Sequence, residues 1–159
     1  MASEVLPGEG VALLVCQVGS RLCGIPLEHV VETMRPLPVQ RLAELPPFVD
    51  GVALIRGSPT PVLDARRLLG AAETPDACGR YVTLRLGGRS AALAVDAVLG
   101  VRKLESRQLE ELPALLRAPG NELVLTLGTL DSELLVVLER ARLVPDSVWQ
   151  AVDAQGRLS

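Results

Sequence analysis

Aromatic residues are nearly absent from this 159-residue sequence, in which Phe48, Tyr81 and Trp149 are the three present. Proteins that bind single-stranded nucleic acids stack the bases on aromatic side chains, and three scattered rings offer no such platform. The 16 basic and 19 acidic residues are interleaved and give a net charge of -3, so no basic stripe can follow a phosphate backbone. We therefore expect no nucleic-acid partner.

Cysteine and histidine are equally scarce. The single histidine, His29, could form a partial metal site with Glu28 and Glu32, but no second His or Cys lies at ligand spacing, which favours a structural or exposed His. The cysteines are odd in number and have no C-x-x-C spacing, which favours buried, reduced thiols over a disulfide framework or a zinc site: Cys16, Cys23 and Cys78. We expect no metal.

Long apolar segments and leader sequences are also missing. No segment reaches the ~20 apolar residues of a membrane span, and the first residues lack a basic region followed by an apolar run. These features predict a cytoplasmic protein with no direct membrane insertion.

Motifs that carry catalysis are missing as well. The sequence has no G-x-S-x-G, no P-loop and no G-x-G-x-x-G. Adjacent acids such as Glu110 and Glu111 point apart on regular structure and are more readily a solvated face than an acid/base pair. We expect no enzyme activity and no cofactor.

What the sequence does contain is short strands of branched aliphatic residues, with hydrophobic residues making up 48% of the chain. Residues 11–18 are almost continuously apolar, Gly19-Ser20 forms a turn signal, and residues 22–25 resume the apolar pattern, which predicts a hairpin. Residues 51–64 predict a second hairpin, with Arg56 at its tip beside a glycine.

The second half of the chain resembles the first. Residues 18–30 align with residues 86–98 at a constant offset of 68, and residues 61–69 align with residues 136–144 at an offset of 75. The first alignment matches Gly19 with Gly87, Arg21 with Arg89, and Glu28 with Asp96. Chance similarity between strands rich in Val and Leu is the alternative. Because the turn glycines, arginines and acids match together, we interpret the pattern as two related β modules, as in small barrels.

These modules predict the domain organisation. Residues 1–10 form a disordered lead, residues 11–152 a single domain, and residues 153–159 a loose tail. The domain divides into subdomains at about 11–75 and 76–145, a division that leaves room for strands exchanged between them. Smaller elements are predicted as follows: a helical turn after Pro26, a turn capped by Asp64, a hairpin over 80–95, a helical segment within 106–116, a closing hairpin over 122–138, and a terminal helix over 145–152.

In combination, several short motifs resemble the CheW family of bacterial chemosensory adaptors over residues 11–144. The motifs are Gly24-Ile25 with Val30-Val31-Glu32, the run from Pro47 to Val52, Leu54-Ile55-Arg56-Gly57 with Pro61-Val62-Leu63-Asp64, and Val95-Asp96-Ala97-Val98. The resemblance implies a mainly β fold: two SH3-like five-stranded β-barrels packed together, with short helices. It also implies a non-enzymatic adaptor that couples methyl-accepting chemoreceptors to a CheA-type histidine kinase.

The resemblance further implies which residues bind a partner. The cytoplasmic tip of a chemoreceptor would lie in the groove between the barrels, and the kinase regulatory domain would contact barrel ends and turns. The positions that match the receptor groove are Val30, Glu32, Arg56, Gly57 and Val82.

Departures from the family pattern keep a second hypothesis open. The family usually has Asn where this chain has Leu54, and glycines where it has Ala92 and Thr126. The alternative is a diverged module of a specialised or non-flagellar pathway that binds only one of the usual partners. For Arg56 and Glu32 the alternative is an ordinary solvated surface, with the arginine stem covering a barrel end.

Overall fold

Two sheets organise the residues that this computed structural model describes, namely 10–43, 45–69, 79–105, 109–111, 124–130, 133–140, 144 and 146–158. Within these residues the elements are β1 (Gly10–Val18), β2 (Arg21–Pro26), β3 (Val30–Met34), β4 (Val49–Ile55), β5 (Ser58–Asp64), α1 (Ala65–Leu68), β6 (Arg80–Leu86), β7 (Arg89–Val95), β8 (Ala97–Glu105), β9 (Leu109–Glu111), β10 (Val124–Leu130), β11 (Glu133–Arg140) and α2 (Asp146–Leu158).

The two sheets have matching strand orders. The first sheet has the order β8-β1-β2-β11-β10-β9, and the second has the order β3-β6-β7-β5-β4. In the first sheet, β2 of the β1–β2 hairpin pairs in parallel with β11, the last strand of a later hairpin. In the second sheet, β7 of the β6–β7 hairpin pairs in parallel with β5, the last strand of an earlier hairpin. The first sheet has six strands where five were predicted, because β9 adds to its edge. An isolated bridge between Gln40 and Val52 occupies the corresponding edge of the second sheet.

Strands are exchanged between the two halves of the chain. After the β1–β2 hairpin of the first sheet, β3 crosses to the second sheet and pairs with β6. After the β6–β7 hairpin of the second sheet, β8 crosses back and pairs with β1. Each sheet therefore takes strands from both sides of residue 75, and the sequential halves are not the units that the sheets form.

The turns of the two hairpins explain the sequence repeat. Gly19 and Gly87 each occupy the first central position of a two-residue turn, with φ of 61° and 67°. Positive φ at that position favours glycine, and a turn of this kind matches the right-handed twist of the two strands that it connects. The predicted hairpins at 11–25 and 80–95 are confirmed.

Burial on both faces explains why β1 is almost continuously apolar. Leu13 and Val15 belong to a small core of the first sheet, while Leu14 and Cys16 belong to a larger core shared by both sheets and both helices. A strand that is buried on both faces has no polar alternation, and each buried aliphatic side chain contributes ~1.5–3 kcal/mol. A third cluster fills the second sheet: Ala53, Ile55, Val62, Tyr81, Ala92 and Ala94.

Several predicted helices differ from the structure. The helical turn after Pro26 is a 3-10 turn at Leu27–His29, and Val30 already begins β3. Residues 109–111 form the strand β9, not part of a helix; the rest of 106–116 lies outside the described residues, as do residues 1–9.

The two α-helices, α1 and α2, were predicted in part. Asp64 caps α1 as predicted, since its carboxylate accepts a hydrogen bond from the Arg66 N–H at 2.9 Å. The terminal helix α2 is confirmed, but it runs to Leu158, so residues 153–158 are helical and not a loose tail. Val148 and Val152 of α2 are buried in the shared core, which explains why a helix forms there. Among the described residues, no helix is both long and apolar enough to cross a membrane.

Candidate functional site

An ion pair between Glu32 and Arg56 lies on the surface of the second sheet. The Arg56 Nε donates to Glu32 Oε2 at 2.7 Å, and its Nη2 donates to Oε1 at 2.8 Å, so the contact is bidentate. The side chain of Arg56 is 76% exposed and that of Glu32 29% exposed. Fork-to-fork pairing of this kind fixes the orientation of both planar groups, which a single contact would not.

The ion pair also closes the second sheet. Glu32 lies on β3, at one edge of the sheet, and Arg56 lies in the turn after β4, the strand at the other edge. A direct contact between side chains of the two edges requires the sheet to curl into a barrel. The pair therefore forms a clasp at the barrel surface, with charged groups that remain accessible to a partner.

The β4–β5 turn holds Arg56 in an unusual backbone conformation. Arg56 has a φ of 51° and Gly57 a φ of 82°, and positive values at both central residues are those of a type I′ hairpin turn. Among the described residues, Arg56 is the non-glycine with positive φ. Such a conformation costs ~1 kcal/mol or more for a residue with a Cβ, and residues held this way cluster at functional positions.

Thr83 holds the backbone of Glu32 from the neighbouring strand. The Glu32 N–H donates to the Thr83 hydroxyl at 3.1 Å, and that hydroxyl donates to the Glu32 carbonyl at 3.2 Å. The threonine is buried, and it bridges the point where the pairing of β3 with β6 shifts between Val30 and Glu32. Sequence reasoning missed Thr83, because a threonine in an apolar strand is equally explained by strand propensity.

Arg56 sets the acidity of Glu32. The hydrogen bonds from the guanidinium lower the pKa of the Glu32 carboxyl below its ordinary value. Glu32 is therefore ionised throughout the neutral range, and the site carries both a fixed positive and a fixed negative group.

The other predicted site residues are placed differently. Gly57 lies in the turn beside Arg56, and Val30 is half-buried against the shared core. Val82 is fully buried in that core, and its contact with a partner stays a prediction. Its side chain lies on the face of β6 that packs into the core shared by the two sheets.

Two exposed apolar residues lie close in sequence to the residues of the ion pair. Val31 precedes Glu32 and is exposed, and Leu54 lies two residues before Arg56 and is 66% exposed. Each of the strands β3 and β4 therefore carries one of these exposed apolar side chains.

Among the described residues, those considered for metal or thiol chemistry do not assemble into a site; Cys78 lies outside the described residues. Glu32 is engaged by Arg56, and His29 Nε2 lies 3.6 Å from Glu28, at the surface. Cys16 and Cys23 are opposite each other on β1 and β2 and are buried; burial raises the pKa of Cys16 to about 12 and that of Cys23 further still. Both thiols are protonated at neutral pH, which disfavours nucleophilic or metal-binding roles.

Comparison with known proteins gives consistent matches along the chain. The family model described as "CheW-like domain" matches residues 12–148. The chain is 27% identical over 151 residues to the chemotaxis protein CheW of Klebsiella aerogenes, a match that covers 93% of this chain and 91% of that protein. It is 29% identical over 138 residues to the protein FrzA of Myxococcus xanthus, covering 79% and 86% of the two chains.

A solved structure shows the same fold. The crystal structure of the scaffolding protein TtCheW from Thermoanaerobacter tengcongensis superposes with a TM-score of 0.73 at 21% identity, covering 84% of this chain and 92% of that one. The predicted fold class, mainly β with two SH3-like barrels and short helices, is confirmed.

Proposed function

Because the chain belongs to the CheW-like domain family, we propose that it is a non-enzymatic adaptor that couples methyl-accepting chemoreceptors to a CheA-type histidine kinase. Its likeness to a chemotaxis protein and to a scaffolding protein supports this role. In this proposal the chain holds two proteins together and carries out no chemistry of its own.

The observation that carries the proposal is the exposed bidentate pair of Glu32 and Arg56. The guanidinium and the carboxylate are held rigidly, so they can read the register of a docked segment with little loss of side-chain entropy. Val31 and Leu54 add apolar surface that such a segment would cover. We infer that the cytoplasmic tip of a chemoreceptor, a helical hairpin, docks on this surface with its apolar face.

Surfaces away from the clasp remain for the kinase. The exposed side chains of Leu99 and Val101 lie on β8, at the edge of the first sheet. An adaptor must bind both partners at once, so two separate surfaces are required. We propose that the kinase regulatory domain binds outside the β3–β4 surface that the receptor tip occupies.

The experiment titrates the purified chain against two partners separately: a chemoreceptor tip fragment and the regulatory domain of the kinase. We expect the chain to bind both, and Arg56→Glu to weaken binding of the tip by about tenfold or more, because a charge is reversed at the contact. The control is Arg85→Glu, which makes the same change at an exposed position of β6. Equal loss in both variants, or no loss in either, would argue against this docking site.

The same titration separates the adaptor from the diverged module. A module that serves a specialised pathway by binding one partner would give saturable binding to the tip or to the kinase domain, but not to both. The exposed Leu54, where the family usually has Asn, is the observation that favours keeping this second candidate.

A further inference from the structure

Two crossovers carry the chain between the sheets, and they occupy equivalent places in the fold. The first crossover leads from β2 to β3 through the 3-10 turn at Leu27–His29, and the second leads from β7 to β8 through Asp96. Asp96 lies 68 positions after Glu28, the offset that also relates the two hairpins. The two crossovers can therefore be compared residue by residue.

The strands that follow the crossovers carry a bulge at the same place. In each strand one extra residue stands between two residues that pair with the neighbouring strand: Val31 in β3 and Leu99 in β8. Both side chains are exposed, by 47% and 56%. The equivalence thus extends from the crossovers into β3 and β8, and each strand serves as a reference for the other.

Asp96 fixes the second crossover to the first sheet and to α1. Its carboxylate pairs with Arg66 at 2.7 Å and accepts the Gly19 N–H at 2.7 Å. Its own N–H donates to the Gln17 carbonyl at 2.9 Å, and Val95 beside it is 1% exposed. The start of β8 is therefore held by a charge pair, two hydrogen bonds and a buried neighbour.

The first crossover has no equivalent contacts among the described residues. The Glu28 side chain is 70% exposed, and His29 Nε2 lies 3.6 Å from its carboxylate. The turn at Leu27–His29 contains no buried residue. The sequence accounts for the difference, because the residue aligned with Arg66 at the offset of 75 is Ala141, which carries no charge.

The strand after this crossover is also the less firmly held of the two. β3 has five residues, none of them buried, whereas β8 has nine and includes the buried Leu104. Side chains of β6 bind β3 at Glu32 and Thr33. The Arg56 guanidinium binds it from the opposite edge of the sheet. The clasp thus supports β3 from the side that β6 does not reach.

We propose that β3 is a hinged edge strand, which opens from β6 about the turn at Leu27–His29 while the rest of the fold stays intact, and that the clasp of Glu32 and Arg56 limits this opening. Local opening is least costly where few side chains are buried and few contacts must break. Both conditions hold at β3, and neither holds at the start of β8. The motion belongs to the chain itself and requires no partner.

The hinge has a consequence for the docking site that rests on the proposed function. Opening of β3 withdraws Glu32 from the surface, so the apparent affinity for a chemoreceptor tip falls with the fraction of molecules that are open. The experiments below use the chain alone. Their failure would remove the hinge and leave the adaptor role standing, and failure of the adaptor role would not affect them.

Native-state hydrogen exchange of the full chain tests the hinge, with NMR resolving single amides at low, increasing urea concentrations. We expect the β3 amides that pair with β6 to exchange about tenfold or more faster than the β8 amides that pair with β1, and almost independently of urea, because local opening exposes little surface. β8 is the internal control, since it is also an edge strand with the equivalent bulge. Equal rates in the two strands, or β3 rates that rise with urea as steeply as those of β1, overturn the proposal.

Arg56→Ala tests the clasp in the same experiment. We expect exchange in β3 to become about twofold to fivefold faster, as the loss of one exposed ion pair allows, with β8 unchanged. The matched control is Arg102→Ala, which removes an exposed arginine from β8 and should leave β3 at its wild-type rate. Unchanged β3 exchange in Arg56→Ala, or the same change in both variants, would show that the clasp does not limit the opening.

Asp96→Ala tests whether contacts at the crossover cause the difference between the strands. We expect the first β8 amides to begin exchanging through an opening that is almost independent of urea, as those of β3 do. Glu28→Ala makes the equivalent change at the first crossover and should leave both strands unchanged. If the β8 amides of Asp96→Ala still exchange only when β1 does, the crossover contacts do not explain the hinge and the proposal is wrong.

Discussion

Two ion pairs in this molecule have the same N···O distance but differ in how far their side chains are exposed to solvent. Arg56 and Glu32 approach to 2.7 Å on the surface, with side chains that are 76% and 29% exposed. Arg66 and Asp96 also approach to 2.7 Å, but their side chains are only 16% and 22% exposed. Surface pairs contribute little to stability, whereas breaking a shielded pair is costly. Their equal distance therefore says nothing about the role of either pair, which depends on its surroundings.

The shielded pair joins the two sheets. Asp96 lies where the chain crosses from β7 of the second sheet to β8 of the first, and Arg66 belongs to α1. The other carboxylate oxygen of Asp96 accepts the Gly19 N–H of the β1–β2 turn at 2.7 Å, and the Asp96 N–H donates to the Gln17 carbonyl at 2.9 Å. One side chain thus fixes the turn of one sheet against the helix that follows the other.

The largest effect that we predict is the loss of stability when the Asp96 side chain, which links the β1–β2 turn to α1, is removed. Asp96→Ala removes the charge that faces Arg66 and the acceptor of the Gly19 N–H, and we expect the free energy of unfolding to fall by ~2–3 kcal/mol. Chemical denaturation measures it. Glu28→Ala is the control, because Glu28 is the aligned residue 68 positions earlier but is exposed, and its loss should cost less than ~0.5 kcal/mol. Equal costs for the two variants would mean that the joint contributes nothing.

A second change tests how the clasp is supported. Thr83→Val keeps the shape of the side chain but leaves the partly buried N–H and carbonyl of Glu32 without the hydroxyl, so we expect the free energy of unfolding to fall by ~1–2 kcal/mol in chemical denaturation. Tip binding should weaken as well, because Glu32 is no longer held in place. Thr33→Val on β3, the strand of Glu32, is the control, since the Thr33 hydroxyl accepts one long hydrogen bond, 3.4 Å, from Arg80. If Thr83→Val stabilises the fold, the threonine is not the support that we infer.

A change at Asp50 should have a smaller effect on stability, and here we expect the free energy of unfolding to rise. Its pKa is raised, first by burial and then by the nearby Asp64. A carboxyl whose pKa is higher in the folded state takes up protons on folding, so it stabilises the fold less as pH rises through that window. We expect Asp50→Asn to raise the free energy of unfolding at pH 7 by ~0.5 kcal/mol, and the gain to vanish below the ordinary Asp pKa of ~3.9. A loss of stability at pH 7 would contradict this sign.

The smallest effect concerns the acidity of the exposed pair. The pKa of Glu32 is lowered by Arg56, so its stabilising contribution is present above the unfolded-state pKa of ~4.3 and is lost as pH falls through the folded value. An NMR titration of the side-chain carboxyl should show this lowered midpoint. In Arg56→Ala the midpoint should return towards the ordinary value, with little change in thermal unfolding. An unchanged midpoint would mean that the pair does not persist in solution.

Local signals in the sequence predicted the hairpins but not their partners. Gly19 and Gly87 mark two turns because positive φ is a local requirement, and Asp64 marks the start of α1 for the same kind of reason. The exchange of β3 and β8 between sheets is a pairing across ~50–90 residues, to which turn and strand propensities are blind.

The sequence predicted which positions belong to the candidate site, but not whether their side chains are buried. Arg56 and Glu32 were predicted to lie at one surface, and their mutual contact depends on how the sheet curls. Val82 was assigned to the same surface because a match of residues does not tell which face of a strand is covered. Residues 153–159 were predicted as a loose tail, yet Asp153 binds Arg89, which also stacks over Trp149 at 4.3 Å, and this contact holds α2 against β7.

The exposed pair can be a clasp alone or a clasp that also docks a partner, and exchanging its charges distinguishes the two. The double variant Glu32→Arg/Arg56→Glu keeps an opposite-charge pair across the barrel edges but reverses what a partner meets. The measurement is its dissociation constant for the chemoreceptor tip fragment, with thermal unfolding alongside. Our account predicts unfolding near that of the wild type and binding that remains weakened by about tenfold. Binding restored to the wild-type value would contradict it and reduce the pair to a structural clasp.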